Sequence, residues 1–183
     1  MALGYRSDDT LVCVKITHVT MHPCPFDWSH AVALHIRAAN PSDLVHLIAW
    51  NAAMAWETEQ KTLDPATLER GISGVFEQAR RGFYLIAERD GMPVGSLLVT
   101  YEWSDWRCGD FWWIQSVYVA PDARRSGVFR ALYAAVQERA AEAGAVGLRL
   151  YVETENHRAQ DTYADLGMER CHYWMYEITL ERP

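Results

Sequence analysis

Seven consecutive residues, Arg124-Arg125-Ser126-Gly127-Val128-Phe129-Arg130, carry the most pointed chemistry in this chain. Three arginines and a glycine stand directly ahead of a run in which Phe129, Leu132, Tyr133 and Val136 recur at helical spacings. A helix that begins in such a turn offers unpaired backbone N–H groups and the positive end of its dipole to an anion, and the glycine lets the backbone approach closely. That is the chemistry of a phosphate cradle. Taken alone, the same residues also describe a solvated basic turn before a surface helix. Neither nucleotide-loop pattern, G-x-x-x-x-G-K-[ST] or G-x-G-x-x-G, is present. Metal-capable groups gather at His18, His22, Cys24, His30 and His35, but Pro23 and Pro25 interrupt them and their spacing fits no zinc pattern, so no metal is expected.

Composition narrows the partners. The chain has 183 residues, half of them hydrophobic, enough for one ordinary domain at ~100–200 residues each. Its apolar stretches are broken well before the ~20 residues that a bilayer span needs. Lys and Arg total 17 against 24 Asp and Glu, a formal charge of −7, which argues against a polyphosphate backbone or an anionic membrane and favours a cationic substrate. Cys13, Cys24, Cys108 and Cys171 lie far apart without a C-x-x-C pair and read as thiols in a reducing compartment. The first nine residues lack a basic segment followed by an apolar one, so a cytoplasmic location is expected. Of eight tryptophans, Trp103, Trp106, Trp112 and Trp113 fall within eleven positions and are expected to form a wall.

The elements that position the turn can be read from periodicity and punctuation. Residues 1–32 read as an extension, with alternation over 10–20 that fits an added strand, and 33–183 as the main domain. A strand from Leu34 to Arg37 precedes Asn40-Pro41-Ser42-Asp43, a cap, a first-position proline and an acid that open a helix through about Trp56. Asp64-Pro65 repeats the device for a helix to about Arg81. Phe83–Arg89 and Val94–Trp103 read as strands joined by a tight Asp90-Gly91 turn, and residues 111–119 as a third. The helix after Gly127 reaches Ala143 and stops at Gly144. A buried strand over Leu148–Val152, a helix from His157 to Leu166 capped by Asn156, and a closing strand over Tyr173–Leu180 complete an α/β (α+β) reading with a mixed sheet.

With these residues in place, the run from Trp113 to Tyr133, centred on Arg124-x-x-Gly127-x-Phe129, resembles motif A of the GNAT superfamily of N-acetyltransferases, whose usual signature is [QR]-x-x-G-x-[GA]. The order of elements over roughly 34–180, Asn156, and the A-x-x-x-Y-x-x-L-G stretch from Ala159 to Gly167 extend the likeness. Within the superfamily it looks closest to the diamine and thialysine acetyltransferase branch. Phe129 stands where a small residue is usual, which adds bulk and leaves the amide in place. The resemblance implies a GNAT fold with splayed middle strands and acetyl-CoA as co-substrate. The amides of Arg125, Ser126, Gly127, Val128, Phe129 and Arg130 would hold the pyrophosphate, with Arg124 bracing the turn. The strand Val117, Tyr118 and Val119 would pair with the pantetheine arm, and Asn156 and Ala159 would meet it from the far side. Plain helix capping is the other role for Asn156.

The same resemblance implies that Tyr163 protonates the departing thiolate, though from spacing alone a core tyrosine is the better explanation of the residue. An alkyl ammonium of pKa about 10.4 must lose its proton before attack, at about 4.6 kcal/mol at pH 7. Some relatives carry Glu where this chain has Gln115, which cannot accept a proton, so Glu102 and Asp105 or a water at Gln115 or Ser116 are the candidates for that task. Asp105 and Trp106 fall where diamine-acetylating relatives have an acidic and an aromatic residue, and Trp50, Trp56, Glu57 and Glu59 could line the opposite wall by charge and cation–π attraction. Each tryptophan equally suits core or dimer packing. The implied activity is N-acetyl transfer to a small primary amine, such as a polyamine or amino acid, by direct attack in a ternary complex, with a homodimer common in the family. A protein or peptide amine as acceptor, and a non-catalytic acyl-CoA-binding module, are the two alternatives.

Overall fold

The computed structural model describes residues 34–180; the extension over 1–32, with its expected strand and four of its metal-capable groups, lies outside them. Strands β1 (Leu34–Ala38), β2 (Phe83–Arg89), β3 (Met92–Ser104), β4 (Gly109–Val119) and β5 (Gly147–Arg149) form one sheet in that order. The first four pair antiparallel, and β4 pairs with β5 in parallel. Helices α1 (Leu44–Glu59) and α2 (Pro65–Glu77) precede β2, α3 (Val128–Glu142) links β4 to β5, and α4 (His157–Asp165) follows. This is the mixed α/β sheet read from the periodicity.

Local chemistry explains the starts. Asn40 and Asp43 form a reciprocal capping box ahead of α1, Asn40 accepting from the Ser42 amide at 2.9 Å and its own amide donating to Asp43 at 2.8 Å. Asp64 accepts from the Thr67 amide at 2.8 Å to cap α2. Asp90 and Gly91, both at positive φ, make the two-residue turn between β2 and β3. Gly82 sits at φ 138° with the Val99 carbonyl where a Cβ would lie, so only glycine fits between α2 and β2. The helix expected to run to about Arg81 accordingly ends at Glu77, and a separate turn covers Ala79–Arg81.

Apolar packing sandwiches the sheet. On one face Leu85, Leu97, Val99, Trp112 and Ile114 meet Val128, Leu132, Tyr133 and Val136 of α3. On the other, Tyr84 and Ile86 meet Leu47 of α1 and Ile72 of α2. Burial of such side chains stabilises by roughly 1.5–3 kcal/mol each relative to exposure.

Two expected strands need correction. The one over Leu148–Val152 is confined to Gly147–Arg149, and Tyr173–Leu180 is not a strand among the described residues. A strand needs a ladder partner as well as a pattern. β4 keeps company with β5 only from Phe111 to Trp113, so the chain beyond Arg149 has no neighbour there. Tyr173, Trp174, Met175, Tyr176, Ile178 and Leu180 are all exposed, with apolar groups on both parities, a pattern that names no single buried face.

One arginine ties three elements together. Arg37 on β1 donates from both terminal nitrogens to Asp43 at 2.7 and 2.8 Å and from Nε to Glu88 on β2 at 2.7 Å. The Arg37 guanidinium holds the buried Asp43 carboxyl below the usual carboxylate range, despite an opposing desolvation cost. Asp43→Asn is expected to cost about 2–3 kcal/mol, less than the ~3–5 of a fully buried pair because Arg37 keeps Glu88. Because the folded pKa is depressed, the contribution is complete above the unfolded value of about 3.9 and disappears as pH falls through the folded one. Urea unfolding of both proteins should show a constant gap from neutral pH down to about 5 that narrows as the pH falls below the ordinary carboxylate range; a gap unchanged at the acid end contradicts the assignment.

Candidate functional site

The basic turn begins where β4 ends. After a turn at Pro121–Ala123, Arg124 is extended, and Arg125 and Gly127 take left-handed φ values of 64° and 84° before α3 starts. Among the described residues no acceptor meets the amides of residues 125 to 130, while the Ala131 amide makes the first helical bond, to Gly127 at 3.0 Å. Six successive N–H groups are thus left without a partner among the described residues. Ser126 Oγ donates to the Ala123 carbonyl at 2.6 Å and accepts from Arg89. Arg89 had no sequence signal. It lies at the end of β2, 37 residues away, and only the strand pairing brings its charge to the turn.

Arg124 turns away from these amides. Its Nε donates to the Val119 carbonyl at 2.9 Å and its Nη2 to Glu57 on α1 at 2.7 Å, with the guanidinium 5.6 Å from the Tyr118 ring centre. Tyr118 also donates to Glu57 at 3.3 Å and stacks on Trp50 at 6.0 Å. Glu57 and Trp50, expected on a substrate wall, are placed against the base of the turn. Arg125 and Arg130 are exposed and form no ion pair among the described residues.

A bulge sets the strand beside the turn. Leu98 pairs with Ser116 and Val99 with Ile114, leaving Gln115 as an extra residue in β4. The insertion reverses the alternation, so Val117 faces the same side as Trp112 and Ile114 and packs toward α3. Beyond Trp113, β4 has no β5 neighbour, and its outer edge is unpaired among the described residues. There, Val117, Phe129, Asn156, Arg158, Ala159, Thr162 and Tyr163 line a cleft of about 280 Å³. Five of these were sequence candidates; Arg158 and Thr162 follow from the same helical face. The Tyr163 ring meets Phe129 edge-on at 5.7 Å, and burial pushes its phenol pKa up. Asn156 uses its side-chain oxygen to cap α4, accepting from the Ala159 amide at 3.1 Å, and its Nδ2 has no partner among the described residues.

The opposite face of β4 is polar. Gln115 donates to Thr100 at 3.1 Å and accepts from the Tyr151 hydroxyl at 2.9 Å. Glu102 accepts from the Trp113 indole and from Arg149, the latter at 2.7 Å, and these bonds hold its carboxyl below the usual range. A carboxylate so held is a poorer base than a free one, so Glu102 serves better as an anchor for Arg149 than as the proton acceptor expected from the sequence. Asp105 accepts from the Trp106 amide in the β3–β4 turn, and Trp106 is 89% exposed. None of Glu102, Asp105, Trp106, Trp56 or Glu57 lines the cleft at Tyr163. The expected tryptophan wall does not form: strand alternation sends Trp112 and Trp103 to the α3 side and Trp113 to the other, and Trp106 sits in a turn. Among the described residues no group of His, Cys, Asp and Glu could hold a metal ion, and no helix is long and apolar enough to cross a membrane.

The fold and turn define an acyltransferase-type architecture: a parallel strand pair that separates beside an anion-directed helix start. The family model of the acetyltransferase (GNAT) family matches residues 45–168, and the chain belongs to that family. A mycothiol acetyltransferase from Corynebacterium aurimucosum is 30% identical over 120 residues, 64% of this chain and 40% of that protein, so the chain spans well under half the length of this relative. A solved structure of a possible acetyltransferase from Clostridium difficile 630 is 40% identical, with a TM-score of 0.77 over 81% of this chain and 99% of that one. An aminoglycoside N-acetyltransferase solved in complex with CoA shares the fold at 20% identity and a TM-score of 0.67, over 81% of this chain and 95% of its own.

Gly127 offers a direct check on the turn. Open space surrounds the position of a Cβ, so Gly127→Ala meets no atom and bears only the strain of its left-handed φ. Urea unfolding should show a loss of about 1–2 kcal/mol. A loss above about 3 kcal/mol would mean that the turn is packed rather than open.

Proposed function

We propose that the protein transfers the acetyl group of acetyl-CoA to a primary amine of a small molecule, by direct attack within a ternary complex. The observation that carries this reading is the meeting of three features around one cleft: the edge of β4 and the amides at the start of α3, both unpaired among the described residues, and the half-buried Tyr163 phenol. The amides of residues 125 to 130, with Arg89 and Arg125 beside them, suit a pyrophosphate. The edge at Val117, Tyr118 and Val119 suits the amides of a pantetheine arm, and the unpartnered Nδ2 of Asn156 faces the same need for an acceptor. When bound, the thioester supplies the electrophilic carbonyl. A backbone N–H near Val117 stabilises charge on its oxygen, and Tyr163 gives its proton to the sulfur.

The acceptor arrives as an ammonium and must lose a proton. Gln115, Thr100 and Tyr151 on the far face of β4 offer an amide and two hydroxyls, and Glu102 is committed to Trp113 and Arg149. Asp105 does not line the cleft, so we assign the proton to solvent, and kcat/KM should rise about tenfold per pH unit below the amine pKa of about 10.4. A plateau reached by about pH 8 would require a base outside this account. Because burial raises the Tyr163 pKa, its proton is retained through the ordinary tyrosine range of about 10 and lost only above it. The small-amine choice, and within it a diamine or thialysine-like acceptor, follows the resemblance of the motifs, since Asp105 and Trp106 in the β3–β4 turn do not line the cleft.

Two measurements test the proposal. Tyr163→Phe should lower kcat about 10²-fold or more with little change in CoA affinity; unchanged turnover removes Tyr163 from proton transfer. Intact-mass analysis of free polyamines, amino acids and basic peptides incubated with acetyl-CoA should show acetylation of the free amines. Acetylation confined to peptides would replace the acceptor class.

A further inference from the structure

A second cavity, of about 450 Å³, opens at the opposite end of α3. Tyr101, Trp103, Asp110 and Trp112 line one side and the chain leaving α3 at Ala143 the other. Its size falls in the range of small-molecule sites, roughly 300–1,000 Å³. The fifteen residues of α3, at ~1.5 Å each, set it about 22 Å from the basic turn.

Strand register builds its wall. Tyr101 is directly paired with Trp112 and Trp103 with Asp110, so three rings and one carboxylate occupy a two-by-two patch on the α3 face of β3 and β4. Tyr101 and Trp112 meet edge-on at 5.5 Å. Asp110 makes no side-chain hydrogen bond or ion pair among the described residues. The nearby arginines are engaged elsewhere, Arg107 over Phe111 at 5.3 Å and Arg139 over Phe83 at 5.9 Å. The C-terminal end of α3 adds the negative end of its dipole. Aromatic faces, a free carboxylate and a helix C-terminus all favour positive charge.

We propose that this cavity is a second binding site that takes a small organic cation with an alkylated, quaternary ammonium head. A primary ammonium needs a separate acceptor in each of three N–H directions, and the wall supplies side-chain acceptors only at the Asp110 carboxylate and the Tyr101 hydroxyl. A methylated head needs none and interacts through the ring faces and the Asp110 charge. The site is separate from the acetyl-transfer cleft and does not depend on that reading.

Calorimetric titration of the full chain with choline, and with its uncharged isostere 3,3-dimethyl-1-butanol, tests it. Choline should bind saturably with unchanged affinity in the presence or absence of saturating CoA, and the isostere about tenfold more weakly. Asp110→Asn and Trp103→Ala should each weaken choline about five- to tenfold. Trp103 is 63% exposed and the Asn substitution preserves shape, so both variants should keep the wild-type unfolding midpoint. Equal binding of the isostere, choline affinity untouched by both substitutions, or no saturable binding would each overturn the proposal. Failure of CoA to bind would bear on the acetyl-transfer reading alone.

Discussion

β4 runs for eleven residues, yet β5 follows it for only three, and the candidate site depends on that early parting. A continuous ladder would satisfy the β4 edge with protein and leave no slot beside Val117. The Gln115 bulge does the complementary work. It reverses which face each later residue presents, so Val117 meets Phe129 and Tyr163 while Tyr118 meets Trp50 and Glu57. One inserted residue therefore places the cleft on the α3 side and a braced, polar face on the other. The brace is specific: Arg124 joins the end of β4 to α1 through Val119 and Glu57, so the turn is held by the residue that its own motif supplies.

Charge is distributed against the average. The chain is acidic by seven units, but the start of α3 brings Arg89, Arg125 and Arg130 to amides that have no acceptor among the described residues. Elsewhere the carboxylates are sorted into roles. Asp43 and Glu88 hold Arg37, Glu102 holds Arg149, and Glu57 holds Arg124. The two more exposed pairs, Glu102–Arg149 and Glu57–Arg124, contribute little to stability, about 0–1 kcal/mol, and their value lies in where they fix the arginine.

Much of this was legible in the residues. Asn40, Asp64 and Asn156 announce helix starts because their side chains bond nearby amides, and Asp90-Gly91 and Gly144 announce turns because the backbone there needs positive φ. The turn at Gly127 and the Phe129, Asn156, Ala159 and Tyr163 face belong to local patterns that survive without tertiary information. The rest depends on pairing. No spacing marks Gln115 as a bulge, since an inserted residue looks like any other in an apolar run. The tryptophan cluster reads as one wall, yet alternation divides it between two faces. Arg89 and Arg149 enter their sites from strands distant in sequence, and the apolar stretch from Tyr173 to Leu180 carries a strand-like composition without a ladder to join.

Amide hydrogen exchange with and without CoA addresses the central claim most directly, because it reads the unpaired groups themselves. The account predicts that CoA slows exchange at residues 125–130 and along the β4 edge from Gln115 to Val119, with little change at the β1–β2 pairing. Exchange that stays unchanged at both segments while CoA binds, or protection concentrated elsewhere, would contradict it.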